Sequence, residues 1–334
     1  MNISITGDIG SGKSTVASAL SKALNMTIVD TGILYREYAS KQGNDVLQQN
    51  LSGDWSIDTL IDNKIKEMGA TEDNNIFVSR LAWHFIPNSI KIYLAINPVL
   101  AAKRICESKS RVSENHADWR ETFDYNNKRK DTELHRYEKM YNLEDASGYS
   151  NADLVIMVGK NSVSDVVKCI IDAINEEVFG YYIDPKVLLP TQVIRDYNAT
   201  TLEDYRKALP TEFAVDMNAA VDYCKGCYYI VDVHHRIAAS VLNGTSFIRV
   251  PTPKTVSKVP DVFAVYDVED MLNISLQDEY VLHHLLKRNE RIIEILESKG
   301  LSTELLDKIL DVLPKVQLEG EELDFAVHCA LKAI

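Results

Sequence analysis

The run Gly7-Asp8-Ile9-Gly10-Ser11-Gly12-Lys13-Ser14 constrains this chain more than any other stretch. It follows a short β-rich segment, Asn2–Thr6, and opens an amphipathic one, Lys13–Leu24, so the spacing G-x-x-x-x-G-K-S falls between a strand and a helix. Glycines at these positions let the backbone turn sharply and point successive N–H groups inward. The helix start adds the positive end of its dipole, which favours an anion. Gly7, Asp8, Gly10, Ser11, Gly12, Lys13, Ser14 and Thr15 therefore form a candidate triphosphate cradle. Lys13 would meet the β- and γ-phosphates of ATP, and Ser14 would ligate Mg²⁺.

Strand-like and helix-like segments alternate after this loop. Thr27–Asp30, Asn75–Ser79, Ile90–Ile96 and Leu154–Val158 read as strands. Ile33–Lys41, Trp55–Gly69, Pro98–Cys106, the charged stretch 107–140 and Ser164–Glu177 read as helices. Such alternation predicts a three-layer α/β fold around a parallel sheet with right-handed crossovers. A break near Phe179–Pro185 ends the pattern. Beyond it lie an extended run (Lys186–Val193), a helix (Thr201–Leu209) and a helix with a hairpin signal (Val215–Val231). His235–Leu242 reads as helix, Ser246–Val250 as strand, and Val281–Lys299, Ser302–Leu313 and Glu319–Ile334 as helices. The expected division is 1–178, a smaller α+β domain at 179–260, and a helical C-terminal region at 261–334 that reads as packing or oligomer surface.

A chain of 334 residues carrying net charge −13 lacks the basic surface of a nonspecific nucleic-acid coat, although an acidic average leaves room for a local anion pocket. No apolar stretch reaches membrane-spanning length and no secretory leader is visible. The five cysteines (Cys106, Cys169, Cys224, Cys227 and Cys329) are few and scattered, so a reduced, cytoplasmic compartment is expected. Cys224-Lys-Gly-Cys227 is a lone pair, which a turn between two strands explains more simply than a zinc site.

Loops of this type serve small-molecule kinases, GTPases and motor ATPases. A GTPase would carry N/T-K-x-D after a strand, and none occurs. A motor ATPase would end its third strand in an acid, whereas this one ends Phe77-Val78-Ser79-Arg80. A kinase needs arginines for a second phosphate and for the transferring one. Asp30-Thr-Gly-Ile-Leu-Tyr35-Arg36 resembles the D-T-G-x-x-Y-R of the cytidylate kinase branch of the nucleoside-monophosphate kinases. Ser79-Arg80 resembles that family's G-R, and Arg129-Lys-Asp-Thr-Glu133-Leu-His-Arg136 is similar to its lid pattern R-D-x-x-D-x-x-R.

The resemblance implies that Arg36 and Arg80 bind the acceptor's phosphate, with Tyr35 and Trp83 nearby. Asp30 would lie near the Mg²⁺ waters or the acceptor, and Arg129 and Arg136 would close over the transferring group. Seven residues apart, the two lid arginines share one helix face. Lys130 departs from the family's first lid aspartate and Ser79 from its glycine. Trp83 could stack on a base or pack as core. These departures leave open a kinase of a hydroxyl on another small molecule or modified nucleoside, with Asp30 or Asp8 as base.

Residues 181–255 resemble the ParB/sulfiredoxin-like superfamily, through Ile183-Asp-Pro185 to Pro190-Thr191-Gln192 and the turn Asp232-Val-His234-His235-Arg236. That resemblance implies an anion site of His234, His235 and Arg236 at a helix start, with Val233 in place of the usual glycine. No cysteine lies in residues 228–243, and residues 179–334 hold 16 Lys/Arg against 24 Asp/Glu, which disfavours a reductase and a DNA clamp. A third reading remains, in which the first unit senses nucleotide and the second docks a protein or DNA partner.

Overall fold

The computed structural model describes all residues except 42, 44–45, 52–55, 109–117, 144, 192–198, 225, 258–266, 274–288, 307, 310–319 and 334. The chain divides into two compact units, Met1–Tyr182 and Ile183–Ile334.

Among the described residues, the first unit is built on the parallel strands β1 (Ile3–Gly7), β2 (Thr27–Asp30), β3 (Asn75–Val78), β4 (Ile90–Ala95) and β5 (Leu154–Met157), in the order β2-β3-β1-β4-β5. β1, β3 and β5 are buried along their whole length, as runs such as ISITG and LVIM require when helices cover both faces. The chain leaves β1 toward β2 and β3 on one side, then returns to β4 and β5 on the other. Its direction reverses around β1, and the loops at the C-terminal edge there make the crevice where α/β sheets take ligands.

Helix α1 (Lys13–Leu24) starts at Gly12, which is left-handed at φ 85°, and ends on Asn25 at φ 52°. α2 (Thr31–Lys41), α3 (Val46–Leu51) and α4 (Ser56–Thr71) lie between β2 and β3, and the short α5 (Ala82–Phe85) follows β3. α6 (Pro98–Glu107) is capped by the Asn97 side chain with proline in its first turn. α7 (Trp119–Tyr141) is capped by Asp118, and α8 (Val163–Asn175) by a reciprocal Ser162–Asp165 capping box. α7 packs against α6 and α3, and α4 against α2 and α5. The sequence pattern had not indicated α3, whose six residues are too short to carry a periodic signal.

β6 (Gly180–Ile183) carries the chain into the second unit. There β7 (Leu189–Pro190), β8 (Ala214–Asp216), β9 (Val221–Cys224), β10 (Cys227–Ile230), β11 (Phe247–Val250) and β12 (Lys254–Thr255) are short strands. β12, β9, β10 and β7 form one sheet, and β8 pairs in parallel with β11. The helix expected within Val215–Val231 is absent among the described residues. β8 and the β9–β10 hairpin stand there, because Val221, Tyr223, Tyr228, Tyr229 and Ile230 are β-branched or aromatic and pack on a pleated surface. The hairpin sets Cys227 opposite Cys224, and both are buried and outside any disulfide; Lys225 lies outside the described residues. Lys186–Val193 is a 3-10 turn (Pro185–Val187) followed by β7, and its end falls outside the described residues.

α9 (Ala199–Ala208), α10 (His234–Leu242) and α11 (Val268–Asn273) complete this unit's middle. Residues 289–298 and Gly320–Ala333 are helical and share a core of Ile292, Leu296, Ile309 and Val327. Much of Val281–Lys299 and the end of Ser302–Leu313 lie outside the described residues. Among those described, no helix is long and apolar enough to cross a membrane.

Candidate active site

The loop after β1 is held from below before it holds anything. Gly7 pairs with Leu94 of β4 at φ 141°, where a Cβ would come within 2.2 Å of the Leu94 carbonyl. A Cβ on Gly10 would meet Ala101 at 2.9 Å, whereas one on Gly12 would meet nothing within 4 Å. The concave side of the loop is therefore open at the start of α1, where first-turn N–H groups have no acceptor within the helix. Lys13 lies back over the loop, its Nζ donating to the Gly7 carbonyl at 2.9 Å and the Asp8 carbonyl at 2.6 Å. Ser14 Oγ donates to Asp30 Oδ2 at 2.6 Å, and the Ile33 N–H donates to Asp30 Oδ1 at 3.2 Å. A hydroxyl and a carboxylate this close form the hard-oxygen pair that a phosphate-bound divalent cation takes. The residues present fit a triphosphate and its cation.

The Asp8 side chain points elsewhere. It is buried and accepts from Tyr93 Oη (3.0 Å), the Ile96 N–H (3.2 Å) and Lys130 Nζ (2.9 Å). Burial pushes its carboxyl up, but the Lys130 ammonium and these hydrogen bonds outweigh that and hold it below the usual range. Asp8 thus ties α7 to the loop. Lys130, the departure from the lid pattern, is the other half of that tie.

Arg80 and Arg129 converge on Glu133 of α7. Arg80 Nε lies 3.0 Å from Glu133 Oε2, and Arg129 Nε donates to Oε1 at 2.8 Å. Arg80 Nη1 also donates to the Gly7 carbonyl at 2.7 Å. Burial pushes the Glu133 carboxyl up, but Arg80, Arg129 and Arg136 overcome it and bring it down to about 2. Arg136 is buried deeper, within reach of Asp58 Oδ1 (3.1 Å), Tyr35 Oη (2.8 Å) and Tyr137 Oη (3.0 Å). Desolvation pushes the Tyr35 hydroxyl up to about 12 despite Arg136.

Two adjoining chambers result. One runs from Gly10, Gly12, Lys13, Ser14 and Thr15 past Asp30 and Arg36 to Arg80 and Arg129. The other shares Arg36, Arg80 and Arg129 and continues to Tyr35, Asp58, Asp62, Arg136 and Tyr137. Ser11 folds its hydroxyl onto the Asp8 carbonyl at 2.9 Å. Trp83, expected beside the acceptor, lines neither chamber. It is 8% exposed and packs on Leu81, Tyr137 and Ala146, because an indole beside so much apolar surface gains more from burial than from facing a polar cleft.

The chain matches known proteins over this unit. The profile of an AAA domain family matches residues 3–119. A cytidylate kinase of Archaeoglobus fulgidus is 30% identical over 192 residues, 56% of this chain and the whole of that protein. The chain belongs to the cytidylate kinase family. A second cytidylate kinase, from Methanothrix thermoacetophila, is 32% identical over 48% of this chain and 90% of its own length. A solved shikimate kinase from Bacteroides thetaiotaomicron aligns over 52% of this chain and 98% of its own, at 17% identity and TM-score 0.37.

As a P-loop kinase the chain is an ATP-dependent phosphotransferase, and several cleft residues of this family member were not singled out from sequence. Asp58, Asp62 and Tyr137 carried no motif, and Glu133 stood only as a letter in the lid pattern. The one available signal was two acids, four residues apart, inside the apolar-periodic stretch Trp55–Gly69.

In the second unit, His234 is buried at the start of α10, and its Nε2 accepts from the Thr191 N–H at 3.1 Å. Burial pushes its imidazole down to about 4, so it brings no positive charge to the turn expected to hold an anion. His235 and Arg236 are half-buried in the same first turn. Val233 caps α10 at φ 62°, a left-handed conformation that a β-branched residue adopts only under strain.

Proposed function

We propose that this kinase transfers the γ-phosphoryl group of ATP to a pyrimidine nucleoside monophosphate, CMP or dCMP. The observation that carries the reading is one continuous cleft in which Lys13 and the Ser14–Asp30 pair adjoin Arg36, Arg80 and Arg129. A single positive charge would serve a hydrolase; three arginines beyond the lysine suit two phosphate groups brought end to end. The named activity of the matched relatives supports the same acceptor.

In this reading Lys13 gives up its loop carbonyls for phosphate oxygens, and the first turn of α1 directs N–H groups at the same charge. Ser14 and Asp30 would hold Mg²⁺, whose charge would offset that of the triphosphate. Arg36 and Arg80 orient the acceptor phosphate in line, and Arg129 covers the transferring group. Arg136, held by three partners, shapes the acceptor chamber instead. The acceptor is already an anion, so no strong general base is required.

A second reading has a neutral acceptor hydroxyl with Asp30 as base. It is favoured by Glu133, which already neutralises Arg80 and Arg129. For the second unit we propose nucleotide sensing at His235 and Arg236, supported by the strained Val233 turn. ADP release with ATP-Mg²⁺ across CMP, dCMP, UMP, AMP, GMP and dTMP tests the acceptor. Lys13→Ala should lose about 10²–10³ in kcat, the scale for removing one charge-stabilising group. ATP loss indifferent to every monophosphate refutes the reading.

A further inference from the structure

Helix α7 grips two consecutive residues of the loop, Gly7 and Asp8, along separate routes. On one, Arg129 Nε donates to Glu133 Oε1, Glu133 Oε2 lies 3.0 Å from Arg80 Nε, and Arg80 Nη1 donates to the Gly7 carbonyl. On the other, Lys130 Nζ donates to Asp8 Oδ1 at 2.9 Å. Successive residues of a helix stand about 100° apart around its axis, so the two contacts together fix the rotation of α7 over the loop. The Asp8 end of the tie is firmly held. Its Oδ1 also accepts from Tyr93 Oη, its Oδ2 accepts from the Ile96 N–H, and its own N–H donates to the Leu94 carbonyl. The Asp8 carbonyl accepts from Lys13 Nζ and from the Ser11 hydroxyl. One buried residue therefore joins α7 to the lysine of the triphosphate cradle.

Lys130 is also where the chain departs from the lid pattern, which has an aspartate there. A carboxylate at 130 would face the buried Asp8 carboxylate and remove the cation that now offsets it. An uncompensated buried charge costs more than the pair it came from was worth. The two positions are matched: lysine at 130 answers aspartate at 8. Resting on the reading of the cleft given above, we propose that Lys130 is a positioning residue for phosphoryl transfer, acting through Asp8. The pair seats α7 on the loop and keeps Arg129 at the wall of the phosphate chamber. Restoring the pattern's aspartate at 130 should therefore damage catalysis, and neutralising Asp8 as well should repair it. An asparagine at 8 can still accept from the Ile96 N–H through one end of its amide and donate to Tyr93 Oη through the other.

The test is a mutant cycle in the full chain: wild type, Asp8→Asn, Lys130→Asp and the double variant, with Lys130→Arg as the conservative change. A cavity of about 30 Å³ beside the pair, lined by Tyr93, Lys130, Leu134 and Ser147, leaves room for the longer guanidinium. The readouts are kcat with ATP-Mg²⁺ and CMP, the KM for CMP, and the calorimetric Kd for ATP-Mg²⁺. All are taken at a temperature where far-UV circular dichroism shows every variant folded. Lys130→Asp should lower kcat by about 10-fold or more and weaken ATP-Mg²⁺ by about 5-fold, leaving the KM for CMP within about two-fold of wild type. The double variant should regain most of both losses, and Lys130→Arg should stay within about three-fold of wild type.

A role confined to stability would shift the unfolding midpoint and leave the folded variants alike in kcat and Kd. That result, or a double variant no better than Lys130→Asp alone, overturns the inference and leaves the kinase reading standing. If Lys130→Asp does not fold, Lys130→Met takes its place in the cycle, and losses that simply add to those of Asp8→Asn overturn it. A wild type that binds ATP-Mg²⁺ but leaves CMP untouched removes the acceptor reading alone. The order of the Kd values across the cycle then decides this inference by itself.

Discussion

Replacing Glu133 by glutamine tests whether the cleft's own carboxylate holds its arginines in place. The carboxyl sits at about 2 in the folded chain against an ordinary 4.5. At about 1.4 kcal/mol per unit, that difference is worth about 3 kcal/mol of stability at neutral pH. Because the folded value is depressed, the contribution is complete above pH 4.5 and is lost as pH falls toward 2. Between pH 7 and pH 3.5 it should decline from about 3 to about 2 kcal/mol. Glutamine abolishes that dependence and leaves two guanidiniums facing a neutral amide, so the variant should be less stable at pH 7 by about 3 kcal/mol or more.

Urea unfolding followed by tryptophan fluorescence is the assay. All three tryptophans (Trp55, Trp83 and Trp119) fall in the first unit, so the signal reports on that unit alone. The gap between wild type and Glu133→Gln should be widest at pH 7 and narrow at pH 3.5. A gap that is constant with pH, or a variant as stable as the wild type, would refute the clamp.

Gly148→Ala should destabilise the first unit by about 2–4 kcal/mol, since glycine there has φ 77° and an added Cβ would lie 2.5 Å from Trp83 Nε1. A fluorescence melt checks this; an unchanged midpoint would place Trp83 elsewhere. Val233→Gly should relieve the left-handed strain and stabilise the second unit by up to about 1 kcal/mol, read from far-UV circular dichroism in urea. Lys130→Met should cost about 1–2 kcal/mol and lower kcat about 10-fold, because it strands the buried Asp8 carboxylate and frees α7 from the loop. The wild type's Asp8 is held low, so the stability deficit should shrink as pH falls below the ordinary carboxylate range.

The parts of this site that are legible in sequence are those where backbone geometry dictates residue type. Gly12 and Lys13 between a strand and a helix declare themselves by spacing, whereas Asp30 is found through the family resemblance of its D-T-G-x-x-Y-R run. Glu133 does not, because 119–141 is so rich in charge that a solvated face is its natural reading, and only tertiary contact turns one of those charges inward. Lys130 reads as a defect in a pattern until Asp8 is seen opposite it. Trp83 carried two meanings, and the apolar surface of Leu81 and Tyr137 chose between them. In the second unit the failure was one of period. Val215–Val231 mixes short strands with a hairpin, and segments of three or four residues are too brief for their alternation to stand out from a helical repeat.

The three glycines of the phosphate loop have different neighbours, and a variant at each would report a different property. Gly7 is sealed against a main-chain carbonyl, so any side chain there would be read as a loss of the folded sheet, whatever became of catalysis. Gly10 meets a methyl group and a helix backbone and would show partial, context-dependent tolerance. Gly12 borders open space, so only its dihedral angle opposes replacement, and an asparagine there could leave a well-folded protein with altered nucleotide handling. A change at position 12 can thus be read as a test of nucleotide handling, while one at position 7 tests the sheet.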